Sequence, residues 1–178
     1  MILTHGMNSI KRGESDPSFI NVGGQIIPVK RIGSKLWTLE NLMIDVNSSY
    51  YGVHNESKST AEYPGYYYSI GSSGYSGSVA NWNSLNDLVR LPTQNDFNEL
   101  WSELDRDINK VNAIWGNIFN GKYNFNNGVI SGRGQDSYYW CDGGSNKANY
   151  VEFDAGGYMT PQGQGAYPTG CLVRFVFK

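Results

Sequence analysis

The apolar pattern of the chain is clearest in one segment, where it predicts an amphipathic helix. Thr93 stands at the predicted N-cap with Asp96 three residues later, which forms an imperfect capping box, and Pro92 keeps the entry extended. The apolar residues that follow recur at i, i+3, i+4 and i+7, so they share one helix face. They are Phe97, Leu100, Trp101 and Leu104. We expect this helix to pack against an irregular antiparallel sheet.

Short apolar runs bounded by turn residues predict strands on both sides of this helix. Residues 19–22 and 25–32 flank Gly23-Gly24, a favourable two-residue hairpin turn. Residues 111–119 fit either a short strand or a second helical turn. Other strand candidates lie at residues 36–42, 66–70, 137–141, 148–154 and 171–177. The pattern therefore predicts the α+β class.

The chain divides into a leader and one domain. Residues 1–18 are polar and punctuated by Gly, without a sustained period, and are interpreted either as an arm that docks on a neighbouring subunit or as a disordered leader. Residues 19–178 are long enough for a single core. Within them, residues 47–83 are rich in Tyr, Gly and Ser, and a loop of that length is unusual unless it is functional.

Composition excludes several classes of partner from the prediction. The net charge of −2 gives no electrostatic case for nucleic acid or an anionic membrane. No apolar run approaches the roughly 18 residues of a membrane span. Residues 1–12 lack a basic start followed by an apolar region, so the chain as written carries no recognisable export signal.

The partial catalytic motifs are mostly rejected. Residues 116–122 have the spacing of a phosphate-binding loop, but Tyr123 stands where Ser or Thr would hold magnesium. His5 and His54 lie in predicted loops without a nucleophile elbow. Glu152 and Asp154 share a strand face, for which wet surface is a commoner explanation than calcium binding. We predict no catalytic residue, no metal site and no cofactor.

The two cysteines leave two alternatives open. Cys141 and Cys171 cannot form a four-ligand metal site on their own. Their separation permits one disulfide, and two buried free thiols fit equally well.

Five segments of the chain resemble, in the same order, those of the Fibrobacter succinogenes major paralogous domain family. They are Trp37–Leu42, Tyr66–Ser69, Arg90–Leu100, Tyr139-Trp140 and Val173–Val176. The resemblance implies a C-type lectin-like fold with a small twisted antiparallel sheet, one or two helices and long ordered loops that carry recognition.

The chain also departs from that family. Cys141-Asp142 replaces a usual Ser-Ser, and Phe175 stands where a cysteine is expected, so no disulfide is carried over. The catalytic cysteine pattern of the related formylglycine-generating enzymes is not matched, and neither is the calcium-dependent sugar motif of animal lectins. The resemblance therefore implies binding and no activity.

The leader carries a second resemblance. Residues Ile2–Ile10 are similar to the opening of virion-associated proteins from phages of gut bacteria that carry this domain. We therefore expect a phage virion protein, a homo-oligomer held to other virion proteins by its N-terminal arm, with a host-surface glycan or protein as ligand. The alternatives are a structural virion component that binds no receptor, a secreted bacterial surface adhesin or carbohydrate-binding module, and an enzyme of the formylglycine-generating type.

Candidate ligand-binding residues follow from the chemistry of recognition. Aromatic rings stack on sugars or fill protein pockets, while amides and carboxylates bond hydroxyls. The candidates are Tyr66, Tyr67, Tyr75, Trp82, Tyr138, Trp140, Asp142, Asn146 and Asn149. For Trp140 and Tyr67, a core position is the open alternative.

Overall fold

In the part of the chain that the structure describes, antiparallel strands and two helices form the fold, so the predicted α+β class is confirmed. The structure, a computed structural model, describes residues 15–45, 55–69, 85–144, 148–164 and 169–178. The first half contains β1 (Phe19–Val22), β2 (Gln25–Ile32), β3 (Lys35–Thr38), β4 (Asn55–Glu56), β5 (Tyr67–Ser69), β6 (Val89–Arg90), α1 (Gln94–Glu103) and α2 (Ile108–Trp115). The second half contains β7 (Lys122–Asn124), β8 (Val129–Ser131), β9 (Asp136–Asp142), β10 (Ala148–Asp154), β11 (Tyr158–Gln164), β12 (Thr169–Cys171) and β13 (Val176–Phe177).

The strands of the described residues form three sheets. The first has the order β1-β2-β3-β13-β6, the second β4-β5-β12-β7-β8 and the third β11-β10-β9. Strand β9 joins the third sheet to the chain after β12, because Trp140 N–H donates to the Leu172 carbonyl and Leu172 N–H donates to that of Tyr138.

The β1–β2 hairpin forms at the predicted turn. Gly23 and Gly24 have φ values of 59° and 95°, in the left-handed region that favours glycine. A side chain at Gly23 would also collide with Ile44. The register sets Ile20 opposite Ile27, and both point into the core.

Helix α1 confirms the capping prediction. Thr93 is the N-cap: its hydroxyl accepts from Asp96 N–H at 3.1 Å, and Asp96 Oδ2 accepts from Thr93 N–H at 2.7 Å. The Asp96 carboxylate also accepts a hydrogen bond from Arg90 Nη1 at 2.6 Å, which connects β6 to the start of the helix. The four residues of the apolar stripe, Phe97, Leu100, Trp101 and Leu104, are all buried.

Helix α2 resolves an ambiguity that the sequence left open. Residues 108–115 are helical, with Asp107 as N-cap accepting from Asn109 N–H at 2.8 Å. The helix ends at Gly116, whose φ is 75°.

The buried side chains form two clusters, which we call the sheet-side core and the helix-side core. The sheet-side core joins β1 and β2 to β9 and the chain around β12; its buried members include Ile20, Ile27, Val29, Tyr68, Tyr138, Trp140, Cys171 and Val173. The helix-side core packs α1 and α2 against β3, β9 and β10; its buried members include Trp37, Phe97, Leu100, Trp115, Tyr139, Cys141, Val151 and Phe153.

The end of the predicted arm lies along the first sheet. Val29 N–H donates to the Ser18 carbonyl at 3.0 Å, and Asp16 pairs with Arg31 at 2.6 Å. Residues 1–14 lie outside the described residues. In the described part of the chain, neither helix is long and apolar enough to cross a membrane.

We predict that Asp96→Asn lowers the free energy of unfolding at pH 7 by about 2–3 kcal/mol, because it removes the charge that pairs with Arg90 and leaves that cation without its partner. Burial by itself raises the pKa of Asp96, but the hydrogen bonds from Arg90 and Thr93 outweigh it and the net pKa is lowered. The carboxylate therefore stabilises the fold above its unfolded pKa, and this contribution is lost as pH falls through the folded pKa.

Urea unfolding at pH 7 and at pH 3 measures both effects. The difference between wild type and Asp96→Asn is expected to shrink at the lower pH. Exposed Asp87 supplies the control, since Asp87→Asn is expected to leave stability unchanged. An equal loss from both variants, or a loss independent of pH, contradicts the assignment.

Candidate functional site

One face of β9, β10 and β11 is turned away from the helices and is only partly covered. In the register of β9 and β10, Tyr138 lies opposite Glu152 and Asp136 opposite Asp154. The alternate residues, among them Tyr139, belong to the helix-side core. We call this partly covered side the open strand face. Its residues are Lys122, Asp136, Tyr138, Tyr150, Glu152, Asp154, Tyr158 and Thr160.

Aromatic rings on this side run from the core to the surface. Trp140 has no exposed surface and meets Tyr150 edge to face at 6.1 Å between centroids. Tyr150 is half-buried and also meets Tyr138 at 5.8 Å. Tyr158, opposite Asp154 in the register, is 68% exposed. The buried Trp140 and Tyr138 rings pack against Tyr150 and hold this half-buried ring in place.

Charged groups surround these rings. The Tyr138 hydroxyl donates to Glu152 Oε1 at 2.8 Å, and Lys122 Nζ lies 4.5 Å from the centre of the Tyr138 ring, a cation–π contact. Burial raises the pKa of Asp136, as do the negative charges of Glu152 and Asp154, while Lys122 opposes the shift. Three carboxyl groups against one ammonium make the face acidic.

This arrangement suits recognition. Exposed Tyr158 and half-buried Tyr150 offer stacking surface, and the carboxylate oxygens accept hydrogen bonds from hydroxyl or ammonium groups. Within the described residues, no group of three or more His, Cys, Asp or Glu side chains is arranged to hold a metal ion.

The predicted aromatic residues separate into different environments. Tyr138 lies on the open strand face but is buried, with 8% of its surface exposed, so it supports the face through its hydroxyl bond to Glu152. Trp140 and Tyr67 have no exposed surface and are core residues, so neither contacts a ligand directly. The Tyr67 hydroxyl donates a hydrogen bond to the Asn120 carbonyl and accepts one from Arg133 Nη2 at 3.1 Å. Tyr66 is half-buried, with its ring 6.4 Å from that of Tyr68.

The predicted polar residues do not gather around Tyr138. Asp142 ends β9 beside the start of α1, where its N–H donates to the Pro92 carbonyl and its carboxylate accepts from Gly144 N–H. Asn149 lies opposite Cys141, on the alternate face of the ladder from Tyr138. Tyr75, Trp82 and Asn146 lie outside the described residues.

Sequence reasoning missed five residues of the face, and only part of the signal was available. Tyr150 stands two residues from Glu152 in a predicted strand, and Asp136 stands two residues from Tyr138, just before the predicted strand 137–141. Tyr158 and Thr160 follow a turn and have no pattern of their own. Lys122 was considered only in the rejected phosphate-loop motif, and it begins β7 after a helix end, not before a helix.

The disulfide considered from the sequence is not formed. Cys141 and Cys171 are free and fully buried. Cys141 belongs to the helix-side core and Cys171 to the sheet-side core, so their side chains point to opposite faces of the strands that carry them. A bond would require at least one strand to turn over.

Comparisons with known proteins assign no role to the open strand face. No family model, curated protein or solved structure matches the chain. The chemistry of the face therefore follows from its own side chains.

We predict that neither thiol reacts with a thiol reagent such as dithionitrobenzoate in the native protein. Burial raises the pKa of Cys141 to about 12, and it raises that of Cys171 well above its ordinary value. At pH 8, a pKa of about 12 leaves roughly one Cys141 in ten thousand as the reactive thiolate. Both thiols are expected to react in about 8 M urea, which unfolds the protein and exposes them. Rapid labelling of either cysteine in the folded protein would contradict this burial and revive the enzyme alternative.

Proposed function

We propose that this protein is a non-enzymatic binding module of a phage virion, and that its open strand face contacts a host-surface glycan or protein. One observation carries the binding role: exposed Tyr158 and half-buried Tyr150 lie on the same strand face as three carboxyl groups. Stacking surface next to fixed hydrogen-bond acceptors is the usual composition of recognition sites.

The hydrogen-bonding state of the face supports binding over catalysis. Tyr138 donates to Glu152, and its pKa is raised first by burial and then by that bond, so the hydroxyl stays protonated. Glu152 is held by the same contact. The two thiols are inaccessible from this face because they are buried.

The virion assignment rests on the resemblance of residues Ile2–Ile10 and of the later segments. In this proposal the N-terminal arm holds the domain to other virion proteins in a homo-oligomer. Several copies of one weak site on a particle bind a surface far more strongly than one copy, through effective concentration. This gain in binding strength suits a face that has only a few stacking residues.

Substitution of an exposed residue of the face tests the proposal without disturbing the core. Tyr158→Ala is expected to weaken binding of the labelled oligomer to host cells by about tenfold or more, the loss typical of an exposed aromatic hot spot. Phe19→Ala is the matched control, because Phe19 is 61% exposed but lies on β1 of the first sheet. Binding is measured by flow cytometry over a panel of gut bacterial strains.

Glu152→Gln provides a second reading of the same face. It keeps the acceptor for Tyr138 but removes a charge, so binding is expected to fall while thermal stability stays close to that of the wild type. Equal binding by wild type, Tyr158→Ala and Glu152→Gln would refute the location of the site. Absence of binding by any oligomer would favour the purely structural virion component.

A further inference from the structure

The chain contains two Asn-Gly pairs, and the fold places them in opposite surroundings. They are Asn120-Gly121 and Asn127-Gly128. An asparagine loses its side-chain ammonia when the nitrogen of the next peptide attacks its side-chain carbonyl. A following glycine favours this attack, because it has no Cβ to block the approach and its backbone bends freely. Both pairs are therefore equal candidates in the sequence, and their surroundings decide which of them reacts.

Asn127 lies in an exposed turn that joins β7 to β8. Strand β8 is at the edge of the β4-β5-β12-β7-β8 sheet among the described residues, and residues 126–129 are all exposed. Gly128 has a φ of 71°, in the left-handed region. An exposed turn at the edge of a sheet opens locally without disturbing the core, so water and base reach Asn127 in the folded protein.

The Asn127 side chain is held over the peptide that must attack it. Its Oδ1 accepts from Val129 N–H at 3.1 Å, an arrangement that bends the side chain back over the intervening Gly128 peptide. The same bond polarises the side-chain carbonyl toward attack. Gly128 N–H donates to the Asn124 carbonyl at 2.8 Å, and this bond must open before the nitrogen reacts. It is a backbone bond at the exposed end of a hairpin, where opening costs little.

Asn120 is held in the interior. It is fully buried, and its Nδ2 donates to the Pro64 carbonyl at 3.0 Å, while its backbone carbonyl accepts from the Tyr67 hydroxyl. Gly121 N–H donates to the Asp136 carbonyl at 2.8 Å, in the contact that connects the start of β7 to β9. Among the described residues no donor reaches Asn120 Oδ1, so no hydrogen bond polarises this carbonyl. Attack at Asn120 therefore requires the core to open.

We propose that Asn127 is a site of spontaneous deamidation in the folded protein and that the fold protects Asn120 from the same reaction. A base takes the Gly128 N–H proton, the nitrogen bonds to Asn127 Cγ, and the Cγ–Nδ2 bond breaks as the amide group takes up a proton and leaves as ammonia. The resulting succinimide ring takes up one water molecule. Opening of its Cγ–N bond gives aspartate, and opening of its backbone C–N bond gives isoaspartate.

The two products affect the turn differently. Each places a negative charge at the end of the hairpin. Aspartate keeps an oxygen that accepts from Val129 N–H, whereas isoaspartate lengthens the main chain by one carbon atom, so the turn closed by Gly128 and Asn124 no longer fits. Asn127 is not part of the open strand face, and the reaction does not depend on the function proposed for that face.

Peptide mapping by mass spectrometry compares the two asparagines in one chain. The full chain is incubated at pH 8, folded and in guanidinium chloride, until both asparagines have reacted in the denaturant. In the folded chain the converted fraction at Asn127 is expected to exceed that at Asn120 by about tenfold or more, because Asn120 reacts only after the core opens. In the denaturant the two fractions are expected to be similar. Similar conversion of both in the folded chain, or conversion of neither, would overturn the proposal.

Two substitutions locate the product independently. Isoaspartate in the aged, folded chain is labelled with an isoaspartyl methyltransferase and a radioactive methyl donor. Asn127→Gln is expected to remove most of the label, since glutamine would have to close a larger ring. Asn126→Gln is the matched control, because Asn126 is equally exposed but precedes another asparagine instead of a glycine, and its label is expected to equal that of the wild type. Label that persists in Asn127→Gln contradicts the assignment.

Discussion

Strand β9 is buried on both of its faces, and the two cores are built around that constraint. Its residues from Ser137 to Cys141 are all buried. Because side chains alternate along a strand, Tyr138 and Trp140 enter the sheet-side core while Tyr139 and Cys141 enter the helix-side core. A slip of one residue would exchange both sets, so the register with β10 and the bonds to Leu172 fix the interior of the protein.

The residues that carry the family resemblance are mostly internal supports. Arg90 binds Asp96 at the start of α1, and Asn41 Nδ2 donates to the Pro64 carbonyl at 2.6 Å. Thr38 accepts from Phe175 N–H at 2.9 Å, while Arg174 connects β3 to the end of α2. A likeness in these segments therefore concerns the scaffold.

The open strand face begins where the first sheet no longer covers β9 and β10. Trp140 and Tyr138 belong to the sheet-side core, whereas Glu152, Asp136 and Tyr158 reach the solvent. The covered part holds the backbone and the inner rings in place. Tyr150, packed against these rings, and Glu152, bonded to Tyr138, therefore have little conformational freedom to lose on binding.

The sequence by itself determined the elements whose causes are local. Three features depend only on residues close together in the sequence, and each was predicted correctly. They are the capping box of Thr93 and Asp96, the apolar stripe of α1 and the Gly23-Gly24 turn. The candidate site was predicted only in part, through Tyr138 and the strand face of Glu152.

Contacts between distant segments decided the rest. Lys122 lies over Tyr138, Arg174 reaches Trp115, and the two cysteines face different cores. No local pattern distinguishes Tyr138 from Tyr139 or Cys141 from Cys171. Two residues of the same type differ here only in which layer covers the strand face that carries them. Only the tertiary structure, by placing a helix layer on one side and a sheet on the other, decided which residues remained available for binding.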